Sequence, residues 1–135
     1  MNLRVLLIED DEIERMKLSR VIDKNNFEHK LIEAKNGEEA LKILYDTTSL
    51  PNIIFLDLNM PKMNGLEFLK ILKSDNRLKY LPVVILSTSN NHKDLKECYE
   101  VGIAGYITKP LKYEDYTAKI IALLNYWSIN EFTRG

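Results

Sequence analysis

The sequence predicts an α/β fold: a five-stranded parallel sheet with five helices packed on its two faces. Two observations support this prediction. Short apolar runs are bounded by polar or turn residues, and unbroken runs of this kind are typical of strands buried on both faces. Segments with helical spacing lie between them, so that strand and helix alternate along the chain. This alternation predicts parallel strands, right-handed crossovers and helices on both faces of one sheet, which is a three-layer sandwich.

Each strand is predicted from its own run of apolar residues. The clearest runs are residues 5–8, 53–56, 83–86 and 106–107, and a weaker one covers residues 29–34. Helical spacing is clearest near the end of the chain, at residues 116, 120, 123 and 127, and again at residues 40, 41 and 44. Asn36 with Glu39, and Asp11 with Glu14, have the spacing of capping pairs at helix N-termini.

Length and composition limit the classes of protein that the chain can belong to. Its 135 residues suit one domain, which we assign to residues 1–128 with a short tail at 129–135. No apolar run is long enough to cross a bilayer, and the chain begins without the features of a secretion signal, so we expect a cytoplasmic protein with no membrane contact. A net charge of -1 predicts no nucleic-acid partner. The single cysteine, Cys98, is expected to be a buried structural thiol.

Polar residues follow four of the five predicted strands directly. In doubly wound sheets, functional groups collect at the carboxyl ends of the strands, where the strand order reverses. All of these residues are therefore predicted to lie along one edge of the sheet. The residues are Glu9, Asp10, Asp11, Asp57, Ser87, Thr88, Thr108, Lys109 and Pro110.

The acidic residues at this edge predict a cation site. Glu9 and Asp10 follow the first strand and Asp57 follows the third. Carboxylates from two separate strands are therefore expected at the same edge of the sheet. Such carboxylates repel each other in a partly buried site unless a cation lies among them. Mg²⁺ suits the position because it takes oxygen ligands and needs only a few carboxylates. Asp11 is expected to cap the following helix instead.

Asp57 is also a candidate nucleophile. A carboxylate can attack a phosphoryl group and form an acyl phosphate when cations neutralise the transferring oxygens. Lys109 is the candidate cation from the protein, although it can equally form a structural salt bridge with Asp57. Ser87 offers a hydroxyl group that can donate a hydrogen bond to a phosphoryl oxygen. A single serine at the end of a strand, however, is more often a capping residue.

These residues together resemble the receiver domain of bacterial two-component response regulators. The resemblance rests on Glu9-Asp10, on Asp57 followed by Met60-Pro61 and Gly65, on Ser87-Thr88, and on Tyr106 before Lys109-Pro110. It covers roughly residues 3–124, and the motifs are specific in combination although each is weak alone. The resemblance implies the doubly wound, flavodoxin-like strand order, which the handedness and alternation of the elements do not determine by themselves.

The resemblance implies a role for each site residue. Asp57 would be phosphorylated by the phosphohistidine of a sensor histidine kinase or phosphotransfer protein. Mg²⁺ would be held by the carboxylates of Asp10 and Asp57 and by the backbone carbonyl of Asn59, with Glu9 acting through a metal-bound water. Lys109 would pair with the phosphoryl group. The protein would then be a phosphoacceptor and not an enzyme with turnover.

The resemblance also implies a switch built from Ser87 and Tyr106. The serine hydroxyl would move toward the phosphoryl group, and the tyrosine ring would turn into the space that it leaves; ordinary sheet packing of Tyr106 is the alternative. Thr88 and Asn59 flank the site, so they bear on the lifetime of the phosphorylated state. The bond between Lys109 and Pro110 is cis in family members.

The output of such a protein is expected to be a protein contact. In the family this contact involves the fourth helix, fifth strand and fifth helix, here residues 91–127. Ile121 and Leu124 lie off the apolar stripe of the last helix, so they are predicted to offer apolar surface to a partner or to a second copy, unless the helix is packed deeply on the sheet. Residues 77–89 and 126–127 are further similar to free-standing response regulators that serve phytochrome-type kinases.

Three other functions are alternatives to the phosphoacceptor. A flavoprotein would need glycines and hydroxyls after the first strand, where the acids stand instead. A phosphatase of the haloacid dehalogenase type would need an acid two residues beyond Asp57, and that residue is Asn59. A receiver-like interaction module that does not cycle phosphate stays open.

Overall fold

The computed structural model describes residues 1–133 of the chain. Five strands alternate with five helices in this part of the chain. They are β1 Arg4–Ile8, α1 Glu12–Lys24, β2 Lys30–Ala34, α2 Gly37–Asp46, β3 Ile53–Leu56, α3 Gly65–Ser74, β4 Val83–Ser87, α4 His92–Val101, β5 Gly105–Thr108 and α5 Tyr113–Ser128. The alternation predicted from the apolar runs is confirmed.

The five strands form one parallel sheet in the order β2-β1-β3-β4-β5. After β1 the chain moves outward to β2, and it then returns to the other side of β1 to form β3. The strand order therefore reverses between β1 and β3, the point where ligands bind in open sheets of this kind. The doubly wound, flavodoxin-like fold class is confirmed.

Two apolar layers lie on opposite faces of the sheet. One face packs against α2, α3 and α4, with Leu44, Phe68 and Cys98 in its core. The other face packs against α1 and α5, with Leu18 and Ile120 in its core. Strands β1, β3 and β4 are buried on both faces, which explains why their sequences are continuously apolar. Cys98 is buried, as expected.

Short polar side chains begin four of the helices. The side chains of Asp11, Asn36, Asn64 and Asn91 each accept a hydrogen bond from a backbone N–H in the first turn of the helix that follows. Asn64 and Glu67 form a complete capping box at the start of α3. The prediction that Asp11 and Asn36 cap helices is confirmed. Each cap fixes the residue at which its helix begins.

The structure decides one open alternative, corrects one expectation and leaves a third untested. Leu124 is fully buried against the sheet and Ile121 is partly buried. Of the two alternatives for α5, deep packing on the sheet is therefore the one that the structure supports. No peptide bond in residues 1–133 is cis, so the bond between Lys109 and Pro110 is trans here. The domain boundary at residue 128 coincides with the end of α5, while positions 134 and 135 of the predicted tail lie outside the described residues.

Of the helices formed by residues 1–133, none combines the length and apolarity needed to span a bilayer.

Candidate functional site

The carboxyl ends of β1 and β3 bring three acidic side chains together. The backbone N–H of Asp57 donates to the carbonyl of Ile8 over 3.0 Å, which holds the two strand ends side by side. Glu9, Asp10 and Asp57 each place a carboxylate oxygen within 4.8 Å of the other two. Glu9 and Asp57 are buried, whereas Asp10 is exposed. The acid cluster predicted from two separate strands is therefore present.

Lys109 provides the positive charge inside this cluster. Its Nζ donates to Oε1 of Glu9 over 2.6 Å and lies 3.6 Å from Oε2 of Glu14. Within the described residues it forms no ion pair with Asp57 shorter than 4.0 Å, so the alternative expectation of a Lys109–Asp57 salt bridge is wrong. The longer side chain of Glu9 reaches the ammonium group instead.

Burial and neighbouring charges shift the pKa values of Glu9, Asp57 and Lys109. The pKa of Glu9 is raised to about 7, mainly by burial and to a smaller extent by the charge of Asp57, against the lowering effect of Lys109. The pKa of Asp57 is also raised, mainly by burial. Burial lowers the pKa of Lys109, but its hydrogen bond to Glu9 and the nearby carboxylates outweigh this effect and leave the pKa raised. The lysine therefore stays charged among acids that are costly to ionise.

The acid cluster fits a small divalent cation. Carboxylate oxygens are the ligands that Mg²⁺ prefers, and two of the three carboxylates here are buried with raised pKa values. A cation among them would favour their ionised forms. Asn59 is exposed two residues beyond Asp57, where its backbone N–H helps to lower the pKa of the Asp57 carboxyl.

The other predicted site residues lie on β4, on β5 and just beyond them. Ser87 is fully buried, and its Oγ accepts from the backbone N–H of Ser89 over 3.1 Å. The hydroxyl of Tyr106 donates to the carbonyl of Ser89 over 2.9 Å, and its ring is partly buried. Thr88 is exposed. The backbone N–H of Lys109 donates to the Ser87 carbonyl over 2.7 Å, so β4 and β5 end together at the site.

Comparison with known protein families identifies the domain. A sequence model described as response regulator receiver domain matches residues 5–121, which is most of the chain. The chain belongs to the response regulator receiver domain family. The receiver-domain resemblance predicted from the motifs around Asp57 and Lys109 is thus confirmed.

Response regulators, one of them a phytochrome response regulator, are among the proteins similar to this receiver domain. Response regulator Rcp1 of Synechocystis sp. (strain ATCC 27184 / PCC 6803 / Kazusa) is 33% identical over 128 residues, which cover 91% of this chain and 87% of Rcp1. The crystal structure of the phosphorylated cyanobacterial phytochrome response regulator RcpA superposes with a TM-score of 0.92 at 29% identity, covering 99% and 100% of the two chains. The Mn²⁺-bound form of Rcp1 gives a TM-score of 0.89 at 30% identity, covering 98% and 99%. The finer resemblance to phytochrome-associated response regulators is confirmed.

Two charged residues of α1 belong to the receiver site although the sequence did not single them out. The guanidinium of Arg15 donates to the backbone carbonyls of Glu9 and Asp10 over 2.9 and 3.0 Å, and so holds the acidic loop in place. Glu14, noted only as the second member of a capping pair, lies beside Lys109. Both follow the acids within one or two turns of α1. Their closeness to the acids along the chain is the only sign in the sequence that they belong to the site. Helical spacing does not show that a side chain on α1 turns back toward the end of β1.

The raised pKa values of the receiver site predict a pH-dependent stability in the absence of metal. Folded Glu9 binds its proton up to a pH of about 7, whereas an unfolded glutamate releases it near 4.5. The folded state therefore binds more protons in this window, so its stability falls as the pH rises through it. We expect a loss on the order of 1 to 3 kcal/mol, since one pKa unit corresponds to about 1.4 kcal/mol.

Urea unfolding in the presence of EDTA, repeated from pH 4.5 to pH 8, measures this loss. The Glu9→Gln variant removes the titrating carboxyl and is expected to show a flatter profile. A variant profile that parallels the wild-type profile would contradict the assignment of the loss to Glu9.

Proposed function

We propose that this receiver domain is a phosphoacceptor switch in which Asp57 takes a phosphoryl group from the phosphohistidine of a sensor kinase or phosphotransfer protein. The observation that supports this function best is the position of Asp57. It is buried at the point where the strand order reverses, with Glu9 and Asp10 within reach of one cation and Lys109 in the same cluster. Acids and a lysine gathered at this point suit phosphoryl transfer better than any structural role.

Asp10, Asp57 and the backbone carbonyl of Asn59 would hold Mg²⁺, and Glu9 would act through a bound water. When bound, the ion supplies positive charge that offsets the acids and the transferring oxygens. The Mn²⁺-bound structure of the relative Rcp1 supports a divalent cation in a domain of this kind.

In the reaction a carboxylate oxygen of Asp57 attacks the phosphorus atom. The bond between phosphorus and the imidazole nitrogen of the donor breaks, and the electron pair leaves with the imidazole, which is then free to take a proton. The product is an acyl phosphate on Asp57. Lys109 would transfer its hydrogen bond from Glu9 to a phosphoryl oxygen, where a compact ammonium group neutralises the new charge.

Ser89 connects the two residues of the proposed switch. Its backbone N–H donates to the hydroxyl oxygen of Ser87, and its carbonyl accepts from the hydroxyl of Tyr106. If the Ser87 hydroxyl turns toward a phosphoryl oxygen, the first of these bonds is lost and the loop before α4 is free to move. Such a movement would change the position of Tyr106 and so bias a two-state element.

The surface that changes would be that of α4, β5 and α5, and the output would be a contact with a downstream protein or a second copy of the chain. Tyr99 on α4 and Tyr126 on α5 are exposed aromatic residues that such a contact can cover. Thr88 follows the last residue of β4, Asn59 lies two residues beyond Asp57, and both are exposed, so they are placed to affect how fast water removes the phosphoryl group. Because a histidine kinase draws its phosphoryl group from ATP, the proposal places the transfer in the cytoplasm.

Intact mass spectrometry tests the proposed function. The protein is incubated with Mg²⁺ and acetyl phosphate, and a gain of one phosphoryl mass per chain is expected. The gain should disappear in the Asp57→Ala variant and persist in Asp23→Ala, which removes an exposed aspartate of α1. No added mass in the wild type would instead favour an interaction module that does not cycle phosphate, and added mass in Asp57→Ala would move the acceptor to another residue.

A further inference from the structure

Glu14 is the second carboxylate that holds Lys109, and it is itself held at both oxygens. Its Oε2 lies 3.6 Å from Nζ of Lys109, and its Oε1 accepts from Nζ of Lys17 over 3.3 Å. Lys17 in turn lies over the ring of Tyr116, with 4.6 Å between its Nζ and the ring centroid. Glu14 thus bridges two lysines from a fixed position on the first turn of α1.

The surroundings of Glu14 place it inside the receiver site. Glu14 and Tyr116 line the same small cavity as Glu9, Asp57 and Lys109. Tyr116 is buried, and α1 and α5 pack against each other on this face of the sheet. The side chain of Glu14 is 24% exposed and that of Lys109 is 10% exposed. Their ion pair is therefore partly shielded from water and stronger than a pair on the open surface.

The position of Lys109 matters because the lysine must move to act. In the proposed reaction its ammonium group leaves Glu9 and pairs with a phosphoryl oxygen on Asp57. The ion pair with Glu14 stabilises the position before this movement. An interaction that is present in the resting state and absent in the transition state slows the step between them.

We propose that Glu14 is a positioning residue that holds Lys109 in its resting place and thereby slows the phosphorylation of Asp57. The inference rests on the proposed function, because it needs Asp57 to accept a phosphoryl group. Removing the carboxylate should raise the rate of phosphorylation by about two to five fold, the range that a partly shielded ion pair supports. The rate of dephosphorylation should not change, because Lys109 has already left Glu14 in the phosphorylated state.

Phosphorylation kinetics of Glu14→Gln with acetyl phosphate and Mg²⁺ test the inference. Glu12→Gln is the matched control, since it removes the same charge from an exposed residue of the same helical turn. Faster phosphorylation in Glu14→Gln alone, with unchanged dephosphorylation, is the expected result. Equal acceleration in both variants would assign the effect to repulsion of the donor, and slower phosphorylation in Glu14→Gln would contradict the inference directly.

A double-mutant cycle with Lys109→Met separates the ion pair from other effects of Glu14. Thermal unfolding of the metal-free protein serves as a readout that needs no phosphorylation. The unfolding midpoint temperature of the double variant should be higher than the value obtained by adding the decreases of the two single variants, because the ion pair can be broken only once. Additive losses would overturn the inference.

The possible failures are distinguishable. A wild-type protein that takes no phosphoryl group overturns the proposed function and this inference together. A wild-type protein that is phosphorylated on Asp57, alongside a Glu14→Gln variant that reacts at the wild-type rate, overturns the inference alone.

Discussion

Replacing Lys109 with methionine is expected to slow the phosphorylation of Asp57 by roughly a hundredfold to a thousandfold, the usual cost of removing one preorganised charge partner from a transition state. Methionine keeps much of the length and apolar volume of the lysine stem, so the packing between β5 and the cavity is retained. What disappears is the ammonium group beside Glu9. The phosphoryl oxygens would then lack the protein's own positive charge, and a divalent cation would replace only part of it.

The rate is measured by intact mass against time, with acetyl phosphate and Mg²⁺ at fixed ionic strength. Lys112→Met is the matched control, because Lys112 is an exposed lysine of the same loop before α5 and its side chain does not cap the helix. This control should react at close to the wild-type rate. If the two variants slow the reaction equally, Lys109 acts through net charge and not through its position.

The same substitution should make the metal-free protein less stable at neutral pH. Glu9 and Asp57 are buried, and Lys109 is the cation that pairs with Glu9. Removing one partner of a buried pair is costly, because the acids left behind must either ionise without a counter-charge or take up protons at neutral pH. The loss should shrink when Mg²⁺ is added, because the cation restores a counter-charge at the acids. Urea unfolding of Lys109→Met with and without Mg²⁺ measures both effects, and a loss that Mg²⁺ does not reduce would contradict this explanation.

The central strands could be predicted from the sequence because their burial leaves no ambiguity. The strand at residues 53–56 has four apolar residues in succession, and all four are buried. The edge strand β2 gave a weaker signal for a physical reason: Lys30 and Glu33 are exposed and Leu31 and Ile32 are only partly covered. An edge strand has one neighbour, so its sequence is less constrained by the core.

The acid cluster could be predicted because strand ends meet at one edge of a parallel sheet. The partner of Lys109 could not be predicted, since the choice between Glu9, Glu14 and Asp57 depends on distances between side chains from three elements. The burial of Leu124 could not be decided from the sequence for a similar reason. Periodicity identified an apolar stripe on α5, but how deeply the helix is packed against the sheet depends on the residues that it meets there.

Gly65 holds the loop that carries Asp57 close to α3. A methyl group at this position would lie 2.5 Å from the carbonyl oxygen of Asp57 and 2.7 Å from Cα of Leu58. Both of these atoms belong to the backbone, so neither can move without shifting the chain next to the phosphoacceptor. The N–H of Gly65 also donates to the carbonyl of Leu58 over 3.0 Å, and this hydrogen bond holds the start of α3 against the loop after β3. A glycine is required here by close contact, and its backbone angles are not unusual.

Gly65→Ala is therefore expected to lower the free energy of unfolding by about 1 to 3 kcal/mol or more, the usual cost of overpacking a tight contact. It should also slow the phosphorylation of Asp57, because relief of the clash moves the backbone of the acceptor itself. Urea unfolding measures the first effect, and intact mass with acetyl phosphate measures the second.

Two other glycines provide a graded series of controls. At Gly37 an added methyl would meet the flexible side chain of Met63 at 2.9 Å, so a smaller loss is expected because that side chain can turn away. At Gly105 the nearest atoms are methyl groups of Val84 at 3.9 Å, an ordinary contact, and alanine there should cost little or stabilise the strand. Equal losses at positions 65 and 105 would show that the cost comes from the general properties of glycine. A loss confined to position 65, together with slower phosphorylation, would show that the contact between α3 and the Asp57 backbone sets both the stability and the reactivity of the site.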